Sequence, residues 1–581
     1  MTQTPPWIRQ LSEFTTIHSS ATYNQLIQKL SSDYTSSIRG TYLLSTSDGR
    51  PLSLITDGDI RRGLAKFYDS NVQLSTFARL SHCTLDVSNL HLSNAIQISN
   101  QIKAASLSAN LSEVPRYVPV TGNSKYLFVI DTVKLGTHLN KTESLPRSIA
   151  VIGLGYVGLT LAVSLANKGY HTCGYDIDVT LVESLNRGVP HISEPNLHDM
   201  LRLAQNCGTL KFLPMEMISD HEAYIICVGT SIVNNVLDSE PLNSAVRSVL
   251  SVAPEYSHLY LRSTVPIGFC SELSKVYNIT SADYSPYIFL SFVPERTIEG
   301  NAIAELNSLP QVIGSISEES LRNAKRLWST LSASIVECES IEEAELIKLI
   351  SNSYRDLVFG FANQVALVCE SYNINAHSLI ERANDNYPRN TIPSPSPGVG
   401  GYCLTKDPLL YESCINDSKF ILSRNARAIN CYAAEAPIRA FENWMRSNYN
   451  FDEPLLILVV GLSFKGHPAT TDIRSSPSLV LLDYFFSNSI NCDILDFSHL
   501  ALGRLNNDSA FHLLDKVPSA SALANYDGIF VMNNHLSNTS LKLSDFTCSA
   551  RPKIFFDGWH QFPYIYRSAA NIFYSTMGKL G

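Results

Sequence analysis

Residues 151-VIGLGYVGLTLAVSLANKGYHTCGYDID-178 decide the fold. An apolar run ends at Gly153, and Gly153, Gly155 and Gly158 stand in GxGxxG spacing with Tyr156 and Val157 between the last two. A helical pattern follows, then a second strand pattern that ends at Asp176. Strand, glycine turn, helix and acidic strand end at these distances are the context in which the spacing acquires meaning. The glycines permit a tight turn and let a pyrophosphate approach a helix N-terminus, where free N–H groups and the helix dipole favour negative charge. Asp176 suits ribose hydroxyls and would repel a 2'-phosphate, so the expected cofactor is NAD rather than NADP. Glycines that serve only strand–helix packing are the competing reading.

Outward from this segment, buried-strand runs 149-IAVIGLG-155 and 224-YIICVG-229 alternate with helical patterns, as in a parallel sheet. Helical regions then span roughly 340 to 385 and roughly 415 to 447. Strand patterns return in 455-LLILVVGLSF-464, 492-CDILDF-497, 528-GIFVMNN-534 and 553-KIFFDG-558. The order is sheet, helices, sheet, with a ligand cleft expected between two α/β units.

At 581 residues the chain is too long for one core. Apolar residues make up 45% and charged residues 17%, and no run is long enough to span a membrane. The start, MTQTPPWIRQLSEF, lacks the basic and apolar parts of a signal peptide, so a cytoplasmic location is expected. The 12 cysteines are scattered without a CxxC pair or Cys/His cluster, which argues against a disulfide framework and against a metal site. A net charge of −9 without a basic stripe argues against nucleic acid as a partner.

The polar stretch 137-THLNKTESLPRS-148 marks a boundary. Upstream of it, 40-GTYLLSTSDGRPLSLITDGDIRRGL-64 reads as strand, turn, strand and a helix opening near Asp57, with an echo at 116-RYVPVTGNSKYLFVIDTVKLG-136. This internal pair resembles a tandem CBS (cystathionine-β-synthase-type) module, a family that commonly binds adenine nucleotides. Thr56 and Asp59 fall on that family's phosphate- and ribose-contacting positions, whereas Ile130-Asp131-Thr132 lacks the matching aspartate. A packing or dimerisation module without ligand is the alternative.

Two further segments carry chemistry. In 341-IEEAELIKLISNSYRDLVFGFANQVALVCE-370, Lys348 and Asn352 are four apart and share a helical face. In 397-PGVGGYCLTKDPLLY-411, Cys403 follows a glycine-rich run and Asp407 lies four residues beyond it. A cysteine becomes a useful nucleophile as its thiolate, which cations and helix ends favour. Lys348 is suited to hold an oxyanion near the sulfur, and Asp407 to orient a water or the lysine.

These segments, together with 263-STVPIG-268, 294-PERTIEGNAIAEL-306, 345-ELIKLISNSYRD-356 and 461-GLSFKGHPATTDIRSSPS-478, resemble the UDP-glucose/GDP-mannose dehydrogenase family in motif and order from about 147 to about 575. The resemblance implies an α/β fold: two Rossmann-like doubly wound domains joined by a helical dimerisation domain, plus the N-terminal α+β CBS-pair-like domain. Its boundaries are 1–140 for the CBS-like part, 147–335 for NAD binding, 336–447 for the helices and 448–581 for the nucleotide sugar.

The activity it implies is a four-electron oxidation of a sugar primary alcohol to a carboxylate with NAD. Cys403 would form a thiohemiacetal and then a thioester, Lys348 and Asn352 would stabilise oxyanions, Asp407 would place water and lysine, and Glu295 would serve thioester hydrolysis. Thr230 and Thr264 would border the cofactor. Glu299, Gly398, Gly400, Gly401, Lys465 and Arg474 would line the sugar-nucleotide site, with Arg389 supplied by a partner subunit of a homodimer or larger homo-oligomer.

The segment 187-RGVPHISEPNL-197 resembles UDP-N-acetylmannosamine dehydrogenases and points to a UDP-N-acetylhexosamine and surface polysaccharide synthesis. UDP-glucose and GDP-mannose remain open as substrates. Tyr402, Ser475 and Val228-Gly229-Thr230-Ser231 differ from the family's common histidine, glutamate and VPTP. A two-electron β-hydroxyacid dehydrogenase needs no thiol and leaves Cys403 unexplained. A catalytically silent nucleotide sensor leaves the joint set of Cys403, Lys348, Asn352 and Asp407 unexplained.

Overall fold

The computed structural model describes residues 8–32, 41–56, 59–60, 73–74, 85–86, 95–108, 116–123, 125–135, 145–233, 236–278, 288–415, 421–448, 454–498, 512–565 and 571–580. Asp57, where a helix was expected to open, and positions 137–144 of the expected linker lie outside these residues. Two compact units result: 1–145 with 254–257 and 274–289, and 146–253 with 258–273 and 290–581. No helix among the described residues is long and apolar enough to cross a membrane.

The first unit contains the same supersecondary element twice. Thr15–His18 pairs in parallel with Thr41–Ser45, which pairs antiparallel with Pro51–Thr56, and the helix Tyr23–Ser32 connects the first two strands. In the second copy Leu85–Asp86, Tyr117–Gly122 and Lys125–Asp131 repeat this arrangement around the helix Ala95–Ser108. Each copy closes its own apolar core, Ile17, Leu26, Leu44 and Ile55 in one and Ile98, Ile102, Val118 and Ile130 in the other. A parallel pair needs a helical crossover to cover its apolar face, which is why each copy inserts one.

The second unit begins with an eight-stranded sheet in the order 210–214, 171–176, 148–152, 223–226, 258–261, 289–292, 311–315, 335–337. The strand Ser148–Ile152 pairs in parallel with both His171–Asp176 and Ala223–Ile226, so chain order reverses beside it. Such a reversal opens a crevice at the carboxyl ends of the strands. Strand ends fall earlier than the apolar runs suggest. Gly153 and Gly461 turn the chain at φ 86° and 96°, a region glycine enters without a Cβ penalty.

Helices follow. Ile341–Glu370 runs unbroken for 30 residues, about 45 Å, and Tyr402–Glu412 and Leu422–Ala433 pack against it. A six-stranded sheet closes the unit in the order 512–513, 491–495, 456–460, 528–531, 553–557, 572–576, with every neighbouring pair parallel. Both sheets are Rossmann-type α/β layers.

Candidate active site

At the glycine turn the three glycines are needed for three different reasons. A Cβ on Gly158 would lie 1.8 Å from the carbonyl oxygen of Gly153, so the helix Tyr156–Asn167 reaches this closeness to the turn only with glycine there. Gly153 has positive φ and lies against the backbone of Cys227 and Val228. Gly155 caps the helix and faces open space, where a Cβ would meet no protein atom within 4 Å. That opening at a helix N-terminus fits a pyrophosphate. The Asp176 carboxylate accepts the N–H of Leu154 at 2.6 Å and that of Asp178 at 3.0 Å, which aims it at the turn and leaves lone pairs for ribose hydroxyls. Tyr156 turns away toward Glu194, to which its hydroxyl donates.

Cys403 is the second residue of the helix Tyr402–Glu412, whose cap, Gly401, has φ 86°. Cys403 is exposed as a residue, although its thiol lies deep among protein atoms. That enclosure pushes the thiol above its ordinary range. The Lys348 ammonium opposes the rise, the Asp407 carboxylate adds to it, Lys406 opposes it and Glu299 adds to it. Expected cation assistance is therefore present but outweighed by desolvation in the protein alone. The first turn of a helix gives a thiolate further support.

Lys348 is buried on the long helix and forms no hydrogen bond or ion pair among the described residues, so its charge is left for the sulfur. One turn on, Asn352 Nδ2 donates to Asp407 Oδ2 at 2.6 Å. The lysine that Asp407 meets is Lys406, 2.9 Å from Oδ1, and not Lys348. Lys406 also donates to Thr230 Oγ1 at 3.2 Å, and that hydroxyl donates to the Thr264 carbonyl at 2.9 Å. The Tyr402 hydroxyl donates to the Thr230 carbonyl. Thus the Thr230 loop at the carboxyl end of the first sheet is tied directly to the cysteine helix, and the Thr264 loop through Thr230. Tyr402 stood out in the sequence only as a departure from the family's histidine, and Lys406 not at all, although its i, i+3 relation to Cys403 was a signal.

Glu295 is bonded on both carboxylate oxygens. One carboxylate oxygen accepts from Arg262 Nε and Nη2 at 3.0 and 2.7 Å, the other from the N–H groups of Arg296 and Thr297 at 2.7 and 2.6 Å. Burial raises its pKa, but the Arg262 guanidinium and these donors outweigh burial and hold it below the ordinary value. A carboxylate so fully bonded is a poor base in this arrangement. Glu299 has the opposite character, because burial and the nearby Asp472 raise its pKa against Thr470, Arg474 and Lys465. Thr470 Oγ1 donates to Glu299 Oε2 at 2.8 Å, and Lys465 Nζ to the Glu299 carbonyl at 2.7 Å.

Lys465 is brought down to about 8 by burial, against the pull of Glu299. Arg474 grips Asp472 through Nε at 2.9 Å and Nη2 at 2.7 Å, and its guanidinium lies 4.7 Å from the centre of the Tyr402 ring. The glycines before Cys403 were expected to admit the substrate. The contacts that require glycine there are with protein: a Cβ on Gly400 would meet the Ser475 carbonyl at 2.3 Å, one on Gly401 the Phe464 ring at 2.8 Å, and one on Gly398 Ala434 at 2.8 Å. Arg389 lies on an exposed loop, stacked on Tyr387, and is not joined to this group within the chain.

Comparison with known proteins agrees with this geometry. The UDP-glucose/GDP-mannose dehydrogenase family matches through its NAD binding domain at residues 147–332 and its central domain at 342–432. The UDP-N-acetyl-D-mannosamine dehydrogenase of Pyrococcus horikoshii is 32% identical over 416 residues, 71% of this chain and 94% of that protein. The NDP-N-acetyl-D-galactosaminuronic acid dehydrogenase of Ralstonia nicotianae is 28% identical over 398 residues, 67% and 91% of the respective chains. The solved structure of UDP-D-ManNAc dehydrogenase from Pyrococcus horikoshii superposes with a TM-score of 0.65 at 28% identity, covering 74% of this chain and all but 1% of that one. A UDP-glucose dehydrogenase from Pyrobaculum islandicum, at 23% identity and a TM-score of 0.63, shares the fold over 75% of this chain and 98% of that one. The chain therefore belongs to the UDP-glucose/GDP-mannose dehydrogenase family and is an NAD-dependent nucleotide-sugar dehydrogenase.

Proposed function

We propose that this enzyme oxidises the C6 primary alcohol of a UDP-N-acetylhexosamine to the carboxylate, through intermediates covalently bound to Cys403. The observation that carries the reading is the placing of Cys403 in a helix first turn with the otherwise unpaired ammonium of Lys348 acting on it. NAD supplies the hydride acceptor at each oxidation.

In this scheme Lys348 holds the alkoxide as the alcohol becomes an aldehyde. Cys403 adds through sulfur to the carbonyl carbon, giving a thiohemiacetal. Loss of a second hydride yields the thioester, and water displaces the sulfur to release the acid. Asn352 and Lys406 fix Asp407 beside these steps, and the raised pKa of Glu299 makes it better suited than Glu295 to accept a proton from that water. Lys465 and Arg474 face the anionic nucleotide, while Gly155 and Asp176 take the cofactor's pyrophosphate and ribose. The names of the mannosamine and galactosaminuronic acid relatives support an N-acetylhexosamine as the sugar; a role in surface polysaccharide synthesis is the product use we infer for such a uronate.

The test is NADH formed per sugar consumed across UDP-N-acetylglucosamine, UDP-N-acetylmannosamine, UDP-N-acetylgalactosamine, UDP-glucose and GDP-mannose. A ratio near two on an acetamido sugar is expected. A ratio near one would remove the covalent role from Cys403.

Two assemblies complete the proposal. Tyr354, Phe361 and Val368 recur every seventh residue on the long helix with more than half of each side chain exposed, which supports a homodimer formed by a second copy of this helix and supplies Arg389 from the partner. The duplicated strand–helix–strand–strand element supports a CBS-pair-like module binding an adenine nucleotide. Thr56 and Asp59 form a reciprocal cap there, Asp59 Oδ2 accepting from Thr56 N and Oγ1 at 3.0 and 2.7 Å and Thr56 Oγ1 accepting from Asp59 N at 3.3 Å, and they are the residues we assign to the ribose and phosphate. Titration of the intact protein with AMP and ATP, reading both binding and turnover, tests the module.

A further inference from the structure

The run 391–401 ahead of Cys403 belongs to no helix or strand, so the position of the nucleophile depends on contacts made to that run from outside it. Its anchors come from the two helices behind it. Arg427 Nη2 donates to the Val399 carbonyl at 2.9 Å and Nη1 to the Leu404 carbonyl at 3.2 Å, so one guanidinium grips the chain on both sides of Cys403. The Leu404 carbonyl is available because its partner four residues on, Pro408, has no N–H. Asn363 Oδ1 accepts the N–H of Ser396 at 2.8 Å, fixing the start of the same run.

The anchors are themselves joined. Asp356 Oδ1 accepts from Arg427 Nη1 at 2.7 Å and from Asn430 Nδ2 at 2.8 Å, and Asn363 Nδ2 donates to Asn430 Oδ1 at 2.9 Å. Asp356, Asn363 and Asn430 have no exposed surface. A buried charged cluster between helices costs more desolvation than apolar packing of the same volume. Here the donors are spent on loop backbone, which apolar packing would leave ungripped.

We propose that Arg427 is the positioning residue of the nucleophile, setting Cys403 before Lys348 through the Val399 and Leu404 carbonyls, with Asp356, Asn430 and Asn363 holding the guanidinium in register. This rests on the reading of Cys403 as the nucleophile.

Arg427→Lys keeps a charge opposite Asp356, but a single ammonium does not span both carbonyls. In the full-length chain, alkylation of Cys403 by iodoacetamide is followed against pH by peptide mass, with the exposed Cys207 as internal reference. The expected result is a change in the Cys403 rate of about fivefold or more, with Cys207 unchanged. Alongside it, kcat falls on the order of 100-fold while KM for NAD stays within about twofold. Asn363→Ala leaves the ion pair intact and carries the same readouts where Arg427→Lys lowers the folded population. An unchanged Cys403 profile and kcat, whatever the loss of thermal stability, would overturn the proposal and reduce the cluster to a brace between helices. A wild-type chain that oxidises no sugar would sink the proposed function instead, and the alkylation comparison would still decide this one.

Discussion

Cys403 and Lys465 show how burial sets the chemistry of single residues. Enclosure raises the Cys403 pKa, and Lys348 acts against this. Replacing Lys348 by Ala is expected to cost on the order of 100- to 1,000-fold in kcat, since the oxyanions of the proposed scheme lose the ammonium assigned to them. Cys403→Ala should abolish formation of the acid; steady-state NADH release and product analysis check both. Lys465, with a pKa of about 8, gives a pH signature. An anionic diphosphate needs the ammonium, so KM for the nucleotide sugar should rise as pH climbs through about 8, by up to about tenfold per unit. Unfolding is not the cause of such a rise. A lysine whose folded pKa lies below its unfolded value of about 10.5 deprotonates first in the folded state, so its contribution to stability grows from about pH 8 to about 10.5. Lys465→Arg, which stays charged, should remove the dependence in a KM–pH profile.

The glycine turn separates two roles at the scale of the element. Gly158→Ala forces a Cβ against the Gly153 carbonyl and should destabilise by about 1–3 kcal/mol in thermal unfolding. Gly155→Ala meets no protein atom, so the melting temperature should hold while NAD titration shows weaker binding. The spacing and its strand–helix setting were readable in sequence because strand and helix periods are local properties. Which glycine serves packing and which leaves room for ligand was not, since that depends on the backbone lying opposite. The same holds at 398–401, where residues distant in sequence, Ala434, Phe464 and Ser475, fill the space that was expected to receive substrate.

For the whole molecule, the apolar stripe on the long helix and the duplicated N-terminal element set the expectations. Phe361→Glu puts a charge in the middle of a face whose partner would be its own copy, and light scattering should show the assembly falling to a smaller species. A chain beginning at residue 141 should keep its turnover but lose any response to AMP or ATP; an unchanged response would place the nucleotide elsewhere. The sequence by itself determined the order of the α/β sheets and helices and the dinucleotide turn, and it singled out Cys403, Lys348, Asn352 and Asp407 as candidates. Each of these is written in local periodicity or in a motif of contiguous residues. Only the tertiary structure decided that Asp407 pairs with Lys406, that Glu295 is held by Arg262, and that Arg427 grips the backbone around the thiol. Those pairings join residues on separate elements, and a buried charge takes as its partner whatever the packing brings within hydrogen-bond reach.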